Sequence, residues 1–151
     1  MIRKVLTYPE NKDILTQKSV DTTPEKSRDL IQDLKDTLHN STDGVGISAV
    51  QIGELKRLCV IHYNNNDIVM INPEITRKRG EIISHEGCLS VPGKYGDFKR
   101  AQKVWCKYTD ENGIEREIAE GGFLSRVIQH ELDHLDGWCV VFDLVEGEND
   151  G

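Results

Sequence analysis

"GFLSRVIQHELDHLDGW" runs from Gly122 to Trp138, and its reading decides where the core lies and what that core surrounds. Projected at the helical period, Leu124, Ile128, Leu132 and Leu135 form one apolar stripe, the ordinary core face of a helix. Phe123, Val127, His130 and His134 form a second stripe beside it, with Glu131 falling between the two. Ser125, Gln129, Asp133 and Asp136 are left to share a polar side. The pattern predicts a helix over 122–136, with Gly137 placed to end it. Histidines that border an apolar face are expected to point inward.

Four-residue spacing sets His130 and His134 one turn apart, so both imidazoles can reach a single cation. Glu131 then stands close enough to handle a metal-associated water without being a ligand. The plainer alternative is a pair of hydrogen-bonded histidines with Glu131 as a surface charge. A third ligand separates the two readings.

Metallopeptidases with this motif usually take that ligand from beyond the second histidine, and one large group places a third histidine after a glycine. Gly137 fills the glycine position, but the position of the third histidine holds Val140, which binds no metal. Only 17 residues follow His134, too few for a second helix carrying a glutamate. The third ligand is therefore expected upstream. Cys88 in "HEGCLSVPG" is the best candidate, because it lies in a polar, glycine-flanked stretch and a thiolate suits Zn²⁺ or Fe²⁺. His39, His62 and His85 compete; His85, three residues from Cys88, is the serious rival. Cys59, Cys106 and Cys139 sit in apolar contexts and read as buried free thiols.

The rest of the chain suggests an α+β domain, with antiparallel strands around a central C-terminal helix and a further helix near the N-terminus. Residues 23–39 read as that first helix: Thr23 can cap it, Pro24 suits its first turn, and Leu30, Leu34 and Leu38 recur every fourth residue. Strands are expected at 57–63 and 67–72 with "NNN" between them, and a hairpin at 102–119 around "TDENG". The "RKRG" run from Arg77 to Gly80 reads as a solvated strand end or turn, and "WCVVFDLV" (138–145) as a last short strand. A single domain is expected over 1–146, followed by an acidic tail at 147–151.

A formal charge of −7 argues against general nucleic-acid binding, since there is no basic excess to neutralise phosphates. No apolar run approaches the roughly 18 residues that span a bilayer, and the N-terminus lacks the apolar core of a signal peptide. A cytoplasmic monomer is the expectation.

"GVGISAVQ" (44–51), "EGCLS" (86–90) and "QHELDHL" (129–135) resemble, in order and spacing, the three signature motifs of the peptide deformylases. The likeness runs from "RKVLTYP" to the segment after the last helix. It implies Cys88, His130 and His134 as ligands of one divalent ion, Fe²⁺ in the cell, with Zn²⁺ or Ni²⁺ possible in purified protein. It implies Glu131 as general acid and base, and the Gln51 amide and Leu89 N–H as oxyanion donors. Gly44, Val45 and Gly46 would lie along the bound peptide. The implied substrates are formyl-methionyl nascent chains near the ribosome exit, in a bacterial cytosol or in that of a virus's host.

Departures from the family pattern are small. Gly46-Ile47-Ser48-Ala49 stands where Gly-Leu-Ala-Ala is usual, Arg126 stands where an apolar pocket residue is usual, and the chain resembles short members lacking the longer C-terminal helix, including viral ones. Val127 is expected to line the pocket for the methionine side chain and Arg126 its mouth, while Glu86 and Arg100 are expected to pair behind Cys88. The alternatives are an ordinary zinc metallopeptidase, weakened by Val140, and a catalytically dead binding module, weakened by the intact Glu131.

Overall fold

The computed structural model describes residues 1–149. Its organising strand is β2, Leu58–Tyr63, whose residues Leu58, Cys59, Val60 and Ile61 are all fully buried. Side chains alternate across a strand, so a continuous apolar run demands cover on both faces. Leu58 and Val60 pack with Ile31, Leu34 and Leu38 of one helix, while Cys59 and Ile61 pack with Leu124, Ile128 and Leu132 of another. The partner strand, β3, Asn66–Arg79, divides likewise: Val69 and Ile71 go to the first layer and Ile68 and Met70 to the second.

β2 and β3 form the expected hairpin. Tyr63 pairs with Asn66, and Asn64 and Asn65 between them take φ values of 51° and 61°. Such a two-residue turn needs both central residues left-handed, a conformation asparagine tolerates. β3 continues past its expected end through "RKR", which makes that run a solvated strand end. The hairpin at 102–119 is β6, Lys103–Thr109, with β7, Glu115–Gly121. Together with β1, Gly46–Ser48, these strands form an antiparallel sheet in the order β1-β2-β3-β6-β7, so β1 is an edge strand.

The first expected helix begins as a 3₁₀ turn, Glu25–Ser27, and continues as α2, Arg28–Asn40; the Thr23 hydroxyl accepts the Lys26 N–H at 3.3 Å. A short α1, Lys12–Leu15, precedes it. The motif helix is α3, Gly122–Leu135, and Gly137 ends it with φ 98°, where a Cβ would lie 2.9 Å from the Thr16 carbonyl oxygen. Ser125 and Gln129 correct the projection: both are buried, and both hold the backbone of Ala101, with the Gln129 amide spanning the Ala101 N–H and carbonyl. Two polar side chains here complete a strand end's hydrogen bonds.

The expected strand over 138–145 is not formed. Residues 138–141 turn, and α4, Phe142–Asn149, follows. Cys139, Val141, Phe142 and Val145 are buried against Tyr8, Leu15, Val50 and Val91. Their spacing is that of a turn and a helix, and aromatic and β-branched content alone had suggested a strand. Residues 147–149, read as the start of an acidic tail, are the end of α4; residues 150–151 lie outside those described.

A third hairpin is not among those the sequence pattern predicts. β4, Ile82–Cys88, and β5, Val91–Arg100, form a separate two-stranded sheet that turns at Leu89 and Ser90. Arg100, at the end of β5, ties it to α3. Its Nε and Nη2 donate to the two Glu86 oxygens at 2.7 Å each, and Nη1 donates to Asp133 at 2.8 Å. Burial works against the Glu86 carboxylate, but Arg100 and His130 prevail and hold its pKa at about 2. Replacing Arg100 by Met leaves that carboxylate buried without its main partner, which should cost about 3–5 kcal/mol. Urea denaturation measures this, and a loss below about 1 kcal/mol, the worth of a surface pair, would show that the tie does not hold the hairpin.

Candidate metal centre

α3 carries His130 and His134 on its buried side, and the tip of the β4–β5 hairpin brings Cys88 to them. Cys88 Sγ lies 3.2 Å from His134 Nε2, and one ligand atom from each of Cys88, His130, His134 and Cys139 falls within 4.8 Å of all the others. Donors on one tetrahedral ion lie about 3.3–3.8 Å apart, given bonds of about 2.0–2.3 Å. His130 Nδ1 is engaged at 2.8 Å by Glu86 Oε1, which turns Nε2 towards the cluster. One thiol and two imidazoles, with a carboxylate behind one ring, fit a divalent transition ion.

Cys139 belongs to the group differently. Its Sγ is 3.6 Å from His130 Nε2 and 3.9 Å from Nδ1, nearly equidistant, so it lies beside the ring rather than ahead of the Nε2 lone pair. The expectation of a buried free thiol holds for Cys139, as for Cys59 and Cys106, but its place next to the cluster was not foreseen. A hydrogen bond from Cys139 and the charge of His134 hold the Cys88 thiol well below its ordinary pKa, although burial opposes them.

The rival histidines do not reach the cluster, although His85 lines the cleft. Alternation along β4 buries Ser84 and Glu86 and turns His85 outward, where it meets Asp97 at 2.8 Å. His39 and His62 both meet Asp67.

Glu131 is buried against Gly46, where a Cβ would come within 2.7 Å of its Oε2. A side chain at position 46 would displace the carboxylate, which explains glycine there. Burial pushes the Glu131 carboxyl above its ordinary pKa, against the pull of His130 and His134. The Ser48 hydroxyl lies 2.9 Å from the Glu131 carbonyl oxygen and 3.1 Å from its Oε1, close against both.

Ser48 also orients Gln51. Its N–H donates to Gln51 Oε1 at 2.9 Å, so the Gln51 amino group must face the other way. There Nε2 lies 3.1 Å from Ser90 Oγ and 3.6 Å from Cys88 Sγ. The neighbouring Leu89 lines the same cleft.

The cleft measures about 590 Å³ and opens beside the cluster. Gly44, Val45 and Gly46 form one wall, and Phe123, Arg126 and Val127 of α3 form another. The Arg126 Nε is buried with no hydrogen-bond partner among the described residues, and its guanidinium lies 5.8 Å from the Phe123 ring centre. The structure thus brings together Cys88, His130, His134, Glu131, Gln51, Leu89 and both cleft walls, with Glu86 and Arg100 directly behind. Sequence reasoning missed Ser48, Ser90 and Asp133. Only Asp133, one residue before His134 and facing away from the leucine stripe, left a trace in the helical projection.

The polypeptide deformylase family model matches residues 2–149. A curated peptide deformylase from Thermodesulfovibrio yellowstonii is 44% identical over 148 residues, covering 93% of this chain and 87% of the relative. The crystal structure of a peptide deformylase from Legionella pneumophila matches with a TM-score of 0.83 at 42% identity, over 92% of this chain and 83% of that one. The peptide deformylase from Thermus thermophilus matches with a TM-score of 0.89 at 31% identity, over 99% and 94% of the two chains. With a family match over residues 2–149 and relatives above 40% identity across most of their length, the chain belongs to the polypeptide deformylase family, metallohydrolases that remove the N-terminal formyl group from nascent peptides.

Proposed function

We propose that this cleft hydrolyses the formyl amide of formyl-methionyl chains, with Cys88, His130 and His134 holding one divalent ion, Fe²⁺ in the cell. The observation that carries the reading is the meeting of the β4–β5 hairpin tip with α3, which puts a thiol against two imidazoles at the foot of an open cleft. When bound, such an ion supplies Lewis acidity, acidifying water and polarising a carbonyl.

The chain's own groups do the rest. Glu131 takes the proton of the attacking water and returns it to the leaving amine. Burial raises its pKa, which makes the carboxylate a stronger base than a solvated glutamate. Gln51 Nε2 and the Leu89 N–H donate to the formyl oxygen as charge gathers there. The open edge of β1, entered through Gly44 and Val45, takes the extended peptide as an added strand. Val127 lines the place of the methionine side chain, and Arg126 stands at its rim. The substrates set the cellular context: nascent chains near the ribosome exit, in the cytoplasm.

Formate release from formyl-Met-Ala tests this. Glu131→Ala should abolish turnover while keeping the metal, and Gln51→Leu should lower kcat by about 10²–10³-fold. Iron-loaded enzyme kept anaerobic should outpace the zinc form, and equal rates would remove the ferrous assignment. Full activity in the Glu131 variant would sink the mechanism. The unpartnered Arg126 Nε predicts a second preference: Arg126→Leu should raise KM for formyl-Met-Asp peptides and leave formyl-Met-Lys peptides unaffected, and equal shifts for both would remove Arg126 from substrate contact.

A further inference from the structure

On the sheet's other side, away from the cleft's ligands, α2 ends at a second cluster of metal-binding side chains. His39 Nε2 lies 2.8 Å from Asp67 Oδ2, and His62 Nδ1 lies 2.9 Å from Asp67 Oδ1. The two rings are nearly perpendicular, with centres 5.0 Å apart, and the three ligand atoms lie within 4.8 Å of one another. The residues come from three elements: the last turn of α2, the end of β2 and the start of β3.

We propose that His39, His62 and Asp67 form a second divalent-cation site, selective for borderline transition ions such as Zn²⁺, Ni²⁺ and Cu²⁺. Donors on one tetrahedral ion sit about 3.3–3.6 Å apart for bonds of about 2.0–2.2 Å, so the two nitrogen–oxygen pairs, at 2.8 and 2.9 Å, have to open by only about 0.5 Å to admit one. An ion replacing the two protons shared with Asp67 thus meets its ligands after small movements. Two imidazoles and one carboxylate match Zn²⁺, Ni²⁺ and Cu²⁺ and are too few in oxygen for Mg²⁺ or Ca²⁺. Asp67 is partly buried, which raises its pKa, but the hydrogen bonds from both histidines outweigh that and keep it an anion at neutral pH. All three side chains retain some exposure, so an ion has a way in and water completes its shell.

The position gives the site a consequence. The His62 N–H donates to the Val45 carbonyl at 2.8 Å, next to the strand proposed to receive the peptide. His39 and His62 flank the loop that joins α2 to that strand, so an ion between them clamps both of its ends. The inference is independent of deformylation, since neither histidine touches the cleft.

Equilibrium dialysis of tag-free holoenzyme against micromolar Zn²⁺, with total metal counted per chain, tests it. Wild type should bind two ions, and His39→Ala/His62→Ala one, with formate release by the variant unchanged before zinc is added. Added zinc should raise the melting temperature of wild type and not that of the double variant; Asp67→Asn should reproduce the loss. One ion in wild type, or two in the double variant, would overturn the site.

Discussion

The contact between Arg100 and Glu86 is the constraint from which the metal cluster follows. Bringing two charges out of water costs several kcal/mol for each, and only close pairing with further hydrogen bonds returns it. Here the guanidinium takes both Glu86 oxygens and Asp133, and Glu86 keeps a bond to His130. One cluster therefore joins the two ends of β4–β5 to α3, fixes the His130 ring, and sets the hairpin tip where Cys88 meets His134. Loss of the tie would free Cys88, which the hairpin brings to the two histidines of α3.

α3 can carry the centre because β2 and β3 are buried on both faces. Their alternate side chains give α2 one layer and α3 the other, so α3 packs against the sheet as a core element rather than lying on the surface. Its second stripe is then free to hold ligands against the hairpin. The same arrangement leaves β1 at the sheet edge, with Gly46 against Glu131. Strand edge, carboxylate and ligands are thus held in register by one helix.

What the sequence disclosed follows the range of the forces involved. α3, α2 and the β2–β3 turn are local patterns of period and turn chemistry, and Leu124, Leu34 and Asn64 betray them directly. The β4–β5 hairpin hides because "HEGCLSVPGKYGDF" is half polar: its stability comes from Arg100, Glu86 and Asp133, which are distant in sequence. "WCVVFDLV" misled for the opposite reason, since its composition favours strand while its buried residues, Cys139, Val141, Phe142 and Val145, are spaced for a turn and a helix. Within the cleft, the choice of Cys88 over His85 was open from spacing alone, and alternation from the buried Glu86 decides it. Gln51 was carried by resemblance, and its orientation rests on Ser48, three residues before it in the spacing of a helix capping box.

Cys139 raises the question of why four donors do not close the site. A fully protein-ligated zinc centre is structural, and hydrolysis needs a position left for water and substrate. Cys139 stands beside the His130 ring, 3.6 Å from Nε2 and 3.9 Å from Nδ1, off the line of the Nε2 lone pair. That imidazole is held by Glu86, and Cys139 itself is fully buried among Tyr8, Phe142 and Val91. Cys139 does not line the cleft, which opens on the side of Cys88 and His130. Glu86 thereby fixes the His130 ring, which lines the cleft as Cys139 does not.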